Sequence, residues 1–330
     1  MDRLDALDAW LGKTLAGADF RRELASADAS FRRYFRVHAG GRTFIAMDAP
    51  PEREDCRPFV RIAGMLRAAG LNVPEVLAQD PGQGFLLLTD LGTTTYLQAL
   101  DAANADRLFG DATAALVKWQ AASREGELPP YDEALLGREL ALFPEWYVGR
   151  HLGVALDARQ REALERVFRA VLAANLAEPR VYVHRDFMPR NLMVSDPNPG
   201  ILDFQDAVHG PLSYDVASLF RDAFVSWEEE RVIDWTIRYW ERARKAGLPV
   251  RGDFADFWRD VEWMGLQRHL KVLGIFARLH YRDGKPGYLE DTPRFLGYVR
   301  HTAARYAELA PLARLLDELE GVRREARLTF

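Results

Sequence analysis

Val181-Tyr-Val-His-Arg-Asp-Phe-Met-Pro-Arg-Asn191, continued after one turn by Ile201-Leu-Asp-Phe-Gln-Asp206, is the stretch on which the reading of this chain depends. Residues 181–183, 192–194 and 201–203 are short β-branched and apolar runs that read as strands. Between the last two lies Ser195-Asp-Pro-Asn-Pro-Gly200, rich in turn formers, so these strands are expected to fold back as a hairpin. A hairpin brings Asn191 beside Asp203 at one open end, within reach of a single cation, and leaves Asp186 on the loop just before. Phosphoryl transfer needs such a set. Its transition state asks for little covalent help, so the protein orients the acceptor hydroxyl and holds Mg²⁺, a hard ion that takes oxygen ligands, on the phosphates.

His184-Arg-Asp-Phe-Met-Pro-Arg-Asn191 also matches the protein-kinase catalytic-loop pattern, with Phe187 in the usual leucine place, and Asp203-Phe-Gln205 resembles the Asp-Phe-Gly triplet. Either motif alone could be a pair of ordinary loop carboxylates. Two in the right order, joined by a hairpin that explains their proximity, favour the kinase-like reading.

The whole chain sets the bounds. Its 330 residues of near-average composition bury a substantial core in one or two domains. A formal charge of -5 and the lack of a basic stripe argue against nucleic acid as a partner. The one cysteine, Cys56, excludes an intramolecular disulfide framework and a multi-cysteine metal cluster, which fits a reducing compartment. The first residues are amphipathic and acidic, unlike a signal peptide, and no uncharged apolar run is long enough to span a bilayer, so neither membrane nor export is expected and cytoplasm is the default.

Along the chain, apolar residues from Leu4 to Leu15 at helical spacing predict an opening helix. Residues 21–25, 31–38 and 42–47 read as strands, with Gly40-Gly41 suited to a type I′ turn between the last two. If that turn pairs Ala39 with Arg42, Tyr34 faces Met47, and Arg32, Tyr34 and Arg36 share a face. Residues 26–30 then form a loop that would cover nucleotide phosphates, with Ser26 and Ser30 offering hydroxyls where protein kinases use glycine. Met47 stands where a kinase carries its phosphate-binding lysine. Arg32 or Arg36 is the expected substitute cation, Arg32 first because it lies nearer the loop. Residues 55–69 predict a helix ending at Gly70, and Glu52 and Glu54 stand just before it without a clear partner. Residues 73–79 and 85–89 read as two more strands, leading into Asp90-Leu91-Gly92, the expected hinge that reads the adenine edge.

From Thr95 the pattern turns helical, with long segments at 102–124, 131–148 and 157–176 before the catalytic strands. After them Gly210-Pro-Leu-Ser-Tyr-Asp215 opens another helix. Asp215 there suits the helix dipole, and in a kinase-like fold it also accepts hydrogen bonds from the catalytic-loop backbone, with His184 as a further support. Residues 228–245 and 254–280 read as helices rich in aromatics and arginine, and 309–327 as a final charged one. The region after the catalytic segment is where an acceptor pocket is expected, which makes Arg221, Trp263, Arg278 and His280 candidates for substrate contact, with Arg190 and Asp206 as further ones. Aromatics at helical spacing are more often core.

The order of Asp28-Ala-Ser-Phe-Arg-Arg-Tyr-Phe-Arg36, Met47-Asp-Ala-Pro-Pro51, Leu88-Thr-Asp-Leu-Gly92, the catalytic motifs and Gly210-Pro-Leu-Ser-Tyr-Asp215 resembles the aminoglycoside phosphotransferase family, and within it the anomeric kinases for N-acetylmuramate and N-acetylglucosamine of bacterial cell-wall recycling. The resemblance implies an α+β, two-lobed, protein-kinase-like fold, with a small antiparallel N-lobe sheet over residues 1–92 and a larger, mainly helical C-lobe over 93–330. It implies ATP and Mg²⁺ as cofactors, Asp186 as catalytic base, Asn191 and Asp203 as metal ligands, and a small amino sugar phosphorylated on its C1 hydroxyl by a protein assumed monomeric. Two alternatives stand beside it. One keeps the reaction but takes an aminoglycoside, an amino alcohol or another small hydroxyl compound as acceptor; the other is a nucleotide-binding pseudokinase, for which Met47 speaks.

Overall fold

The computed structural model describes residues 2–27 and 31–328. In chain order they form α1 (Arg3–Thr14), β1 (Phe20–Ala27), β2 (Arg33–Ala39), β3 (Arg42–Asp48), α2 (Arg57–Ala68), β4 (Val76–Asp80), β5 (Phe85–Thr89), α3 (Tyr96–Ala99), α4 (Ala105–Ala121), α5 (Glu133–Leu140), a π-helical run Phe143–His151 and α6 (Ala158–Leu176). Then follow β6 (Arg180–Val183), β7 (Leu192–Met193), β8 (Gly200–Ile201), β9 (Val208–Pro211), α7 (Tyr214–Phe220), α8 (Glu229–Lys245), α9 (Phe254–Tyr281), α10 (Thr292–Arg305) and α11 (Ala310–Leu328). The fold is α+β, as expected. The chain divides into two compact units, one of Met1–Trp119 with Pro189–Asp206, the other of Gln120–Met188 with Ala207–Phe330. The division therefore falls past Gly92, and the β7–β8 hairpin joins the first unit.

In the first unit an antiparallel sheet runs in the order β1-β2-β3-β5-β4. Gly40 and Gly41 both have positive φ, 56° and 73°, as a type I′ turn requires. The turn fixes the register, so Ala39 pairs with Arg42 and Tyr34 with Met47. Side chains alternate across the pleat. Phe35, Val37, Phe44 and Ala46 face Leu7 and Leu11 of α1 in one apolar cluster. Strand β1 runs further than the sequence pattern suggests, because a bulge between Leu24 and Ser26 lets pairing continue to Ala27 opposite Arg33. Ser26 thus belongs to the ladder, opposite Tyr34, and not to a loop. Ser30 lies outside the described residues.

The β7–β8 hairpin is shorter than expected, pairing Leu192 with Ile201 and Met193 with Gly200. Its flanks bond elsewhere: Val194 N–H donates to Thr94 O at 2.9 Å, and Leu202 N–H to Asn191 O at 2.9 Å. The second bond ties the residue before Asp203 to Asn191. Ile201 N–H donates to Asn72 O at 2.8 Å, which holds the hairpin to the rest of this unit.

The second unit is mostly helical. Leu164, Val167 and Val171 of α6 pack with Leu266, Leu270 and Leu273 of α9 and with Leu312, Leu315 and Leu316 of α11. Residues 131–148 do not make one helix: α5 ends at Leu140 and the wider π-helical turns begin at Phe143. Pro144 brings no N–H to the helical ladder, and the Leu142 backbone lies so close to Gly274 of α9 that a Cβ there would stand 2.4 Å from its carbonyl. Strand β6, which leads into residues 184–188, pairs antiparallel with β9, Val183 opposite Val208.

Candidate active site

The open face of the first unit's sheet holds a cavity of about 320 Å³. Ile45, Leu88, Met193 and Leu202 give it apolar walls, Asp90, Leu91 and Gly92 lie along it, and Arg190, Asn191 and Asp203 close it. Apolar walls with a few convergent polar groups suit a flat heteroaromatic ring with a polar tail.

Two arginines of the shared face divide their work. Arg36 grips Asp90 with both arms of its guanidinium, Nε at 2.7 Å and Nη2 at 3.1 Å, and Nη2 also donates to Gly92 O at 2.8 Å. Burial opposes ionisation of Asp90, but these bonds and that of Gly92 N–H outweigh it and hold the carboxyl below its usual range. Arg36 therefore shapes the hinge segment. Arg32 stands 3.5 Å from the Glu54 carboxylate, and Glu54 also accepts from Phe31 N–H at 3.3 Å. Burial works against the Arg32 charge, yet the fields of Tyr34, Glu54, Asp203 and Asp206 keep its pKa above the ordinary arginine value. Met47, opposite Tyr34, is fully buried. Arg32, two residues before Tyr34 in the chain, thus has a glutamate partner.

Asn191 and Asp203 meet as the hairpin predicts, with Asn191 Nδ2 donating to Asp203 Oδ2 at 3.4 Å. Asp203 has φ of 60°, the left-handed region that aspartate tolerates better than most residues and that concentrates at functional sites. Gln205 Nε2 donates to its other oxygen at 2.8 Å. A carboxylate beside a carboxamide is a donor set that fits a hard divalent cation, provided the Asn191 amide turns its oxygen, not its nitrogen, toward the ion.

In the second unit, the loop bearing Asp186 hangs on Asp215. The two Asp215 carboxylate oxygens accept from His184 N–H at 2.7 Å and from Arg185 N–H at 3.0 Å, as the sequence suggests. Burial raises the Asp215 pKa to about 7, against the pull of those two bonds. His184 Nδ1 accepts from Asp186 N–H at 3.2 Å, so its imidazole braces the loop from inside. Arg185 takes a left-handed φ of 77° and donates to Glu139 at 2.6 Å. Glu139 is buried and also meets Lys271 Nζ at 2.9 Å, Gln267 Nε2 at 3.2 Å and the Tyr131 hydroxyl. Burial alone would neutralise Glu139, but Lys271 and Arg185 pull its pKa down to about 2. This buried cluster anchors the loop residue next to Asp186.

The sequence offers little hint of it. Glu139, Arg185 and Lys271 come from three distant segments, and the one cue is a lysine set among apolar residues in Leu270-Lys-Val-Leu273. The expected substrate contacts fare differently. Arg221 is buried and faces Glu229 and Glu262, each at 3.5 Å, so its charge is taken up within the fold. Trp263 is 2 % exposed and belongs to the helical core, which corrects its reading as a sugar platform. Arg278 is half-buried, and burial together with Arg282 lowers its pKa. Asp206 is exposed, while Arg190 lines the first unit's cavity.

A small antiparallel sheet with a cavity, a carboxylate–carboxamide edge and a buried aspartate holding an Asp-bearing loop define a kinase-like phosphotransferase. The sequence profile of the phosphotransferase enzyme family matches residues 22–252, and the chain belongs to that family. It is 56% identical over 295 residues to the N-acetylmuramate/N-acetylglucosamine kinase of Pseudomonas aeruginosa, covering 89% of this chain and 87% of the relative. To the same-named protein of Neisseria meningitidis serogroup B it is 50% identical over 326 residues, 97% of each. A solved streptomycin–ATP ternary complex of APH(2")-IIa shares the fold with a TM-score of 0.61 at 13% identity, over 90% of this chain and 96% of that one. No helix among the described residues is long and apolar enough to cross a membrane.

Proposed function

We propose that the chain is an ATP- and Mg²⁺-dependent kinase that phosphorylates the anomeric hydroxyl of N-acetylmuramic acid and N-acetylglucosamine in the cytoplasm, giving sugar 1-phosphates for cell-wall recycling. The observation that carries this reading is the Asp215-braced His184-Arg-Asp186 loop together with the Asn191–Asp203 edge, in a chain at least half identical to two proteins of that kinase name over most of its length. The cavity takes the adenine, with its polar contacts along Asp90 to Gly92.

Asp186 accepts a hydrogen bond from the sugar C1 hydroxyl and orients its oxygen toward the γ-phosphorus. As the new P–O bond forms and the bond from the γ-phosphorus to the bridging oxygen breaks, the electron pair leaves with ADP and the hydroxyl proton passes to Asp186. An anomeric hydroxyl is more acidic than an ordinary alcohol, so an aspartate that takes its proton late suffices. Arg32 supplies a fixed positive charge at the phosphates in place of the usual lysine, which weakens the pseudokinase reading. Asn191 and Asp203 would hold Mg²⁺, which when bound neutralises charge on the phosphate oxygens.

The test is turnover of both sugars with ATP and Mg²⁺, comparing wild type with Asp186→Asn and locating the phosphate by ³¹P NMR. A 1-phosphate made by wild type, with a loss of at least 100-fold in kcat for the variant, is expected. Turnover confined to another acceptor, or an undiminished variant, overturns the reading.

A further inference from the structure

Arg268 stands in the middle of α9 and is 3 % exposed. A guanidinium carries five N–H donors and keeps its charge under all conditions a folded protein meets. Its neighbours along the helix are well used: Gln267 and Lys271 both donate to Glu139, and His269 Nε2 meets Arg221 O at 3.2 Å. Arg268 is not. Its Nη2 donates to the Met188 thioether at 3.6 Å, a weak acceptor, and its buried Nη1 has no hydrogen-bond partner among the described residues. A buried cation with idle donors is costly, and such exceptions in a native fold call for a physical reason.

The charge and the donors have different needs. Asp215 lies close enough to feel the Arg268 charge, but both of its oxygens already accept catalytic-loop N–H groups. What remains is a demand for a planar anion with two acceptor oxygens, the partner an arginine fork holds best. Met188 locates the demand, because it follows Asp186 by two peptide units, a reach of at most about 7 Å. That is the order of the span across one sugar ring. The Met188 side chain is unbranched and half-exposed, so it can swing aside for a ligand. Arg221, by contrast, has two carboxylates in attendance.

We infer that Arg268 binds the carboxylate of the acceptor, and so is the residue by which the enzyme distinguishes the lactyl-bearing N-acetylmuramate from the uncharged N-acetylglucosamine. The inference rests on the sugar-kinase reading and names a specificity residue for it. The bound acid replaces the thioether at Nη2 and satisfies Nη1, while an uncharged sugar leaves Met188 in place.

The first experiment needs no variant. Wild-type KM is measured for N-acetylmuramate, for its methyl ester and for N-acetylglucosamine at saturating ATP; the ester is expected to have a KM at least tenfold above that of the acid. The same comparison is made for Arg268→Met and Arg268→Lys, with folding checked by circular dichroism. Arg268→Met should raise KM for N-acetylmuramate at least tenfold and leave that for N-acetylglucosamine within threefold, and Arg268→Lys should fall between. In a thermal-shift measurement, Arg268→Met should lose the stabilisation by N-acetylmuramate and keep that by ADP. Equal KM for acid and ester, or an equal loss on both sugars, overturns the Arg268 assignment while wild-type turnover upholds the sugar kinase. A wild type that phosphorylates neither sugar overturns both.

Discussion

Asp215→Asn tests the loop support most directly, because it keeps the shape of the side chain and removes its titration. Burial lifts this carboxyl to about 7 from an ordinary 3.8. The raised value means that, between pH 4 and 7, the folded chain keeps a proton the unfolded chain has lost. Stability from this group is therefore full below about pH 4, is lost as pH rises toward 7, and is flat above. From pH 5 to pH 7 the slope starts at about 1.4 kcal/mol per pH unit and halves as the folded group ionises near pH 7, so wild type should lose about 2 kcal/mol relative to the variant. Urea unfolding at pH 5, 6 and 7.5 reads the difference. Trp146, Trp227, Trp235, Trp240, Trp258 and Trp263 all lie in the unit that carries Asp215, so tryptophan emission reports its unfolding. Activity adds a second reading. An ionised carboxylate serves both loop N–H groups, whereas an amide has one oxygen and turns an NH₂ against the other donor. Losing a charge-assisted bond of about 1.5–3 kcal/mol predicts a fall in kcat of roughly 10- to 100-fold at pH 8. A stability difference that stays constant across these pH values, with kcat within threefold of wild type, would refute the reasoning.

Two further outcomes separate neighbouring roles. Arg32→Met should raise the KM for ATP and lower kcat, each by about tenfold, as expected for a lost charge at the phosphates. Arg36→Met should raise the KM alone, because it frees Asp90 at the hinge; steady-state kinetics with varied ATP tells the two patterns apart. Gly274→Ala should destabilise the helical unit by about 1–3 kcal/mol, since its Cβ meets the Leu142 carbonyl at 2.4 Å and the π-helical run must move. Thermal unfolding should show a drop of several degrees, and an unchanged transition would show that the close approach relaxes freely.

Local chemistry made the centre of this molecule readable in advance. Two adjacent glycines set a turn, the turn set a register, and the register put Tyr34 opposite Met47. The turn formers at 195–200 brought Asn191 to Asp203 by the same logic. What stayed hidden depends on partners far away in the chain. Arg221 and Arg268 look alike as arginines on helical segments, and only the fold shows that one faces two carboxylates while the other's Nη2 meets a thioether and its Nη1 has no hydrogen-bond partner among the described residues. Glu139 and Lys271 sit 132 positions apart, and no local pattern joins them. Ser26 reads as loop from its polar neighbours, yet the bulge after Leu24 carries the pairing on to it without changing that composition.

The division of the chain has a consequence for its synthesis. Residues 1–119 leave the ribosome before residues 189–206, which finish the unit they build, carry Asn191 and Asp203, and bond to Asn72 and Thr94. A nascent chain that stops short of that return lacks Arg190, Asn191, Met193, Leu202 and Asp203, which line the cavity, and must wait for them while residues 120–188 emerge. Domains generally fold as units during translation. Here the earlier unit waits for a strand pair delivered from the middle of the later one. The Asn191–Asp203 edge therefore appears only after residues 184–188 have been made, so a chain truncated before residue 189 carries that loop without the edge.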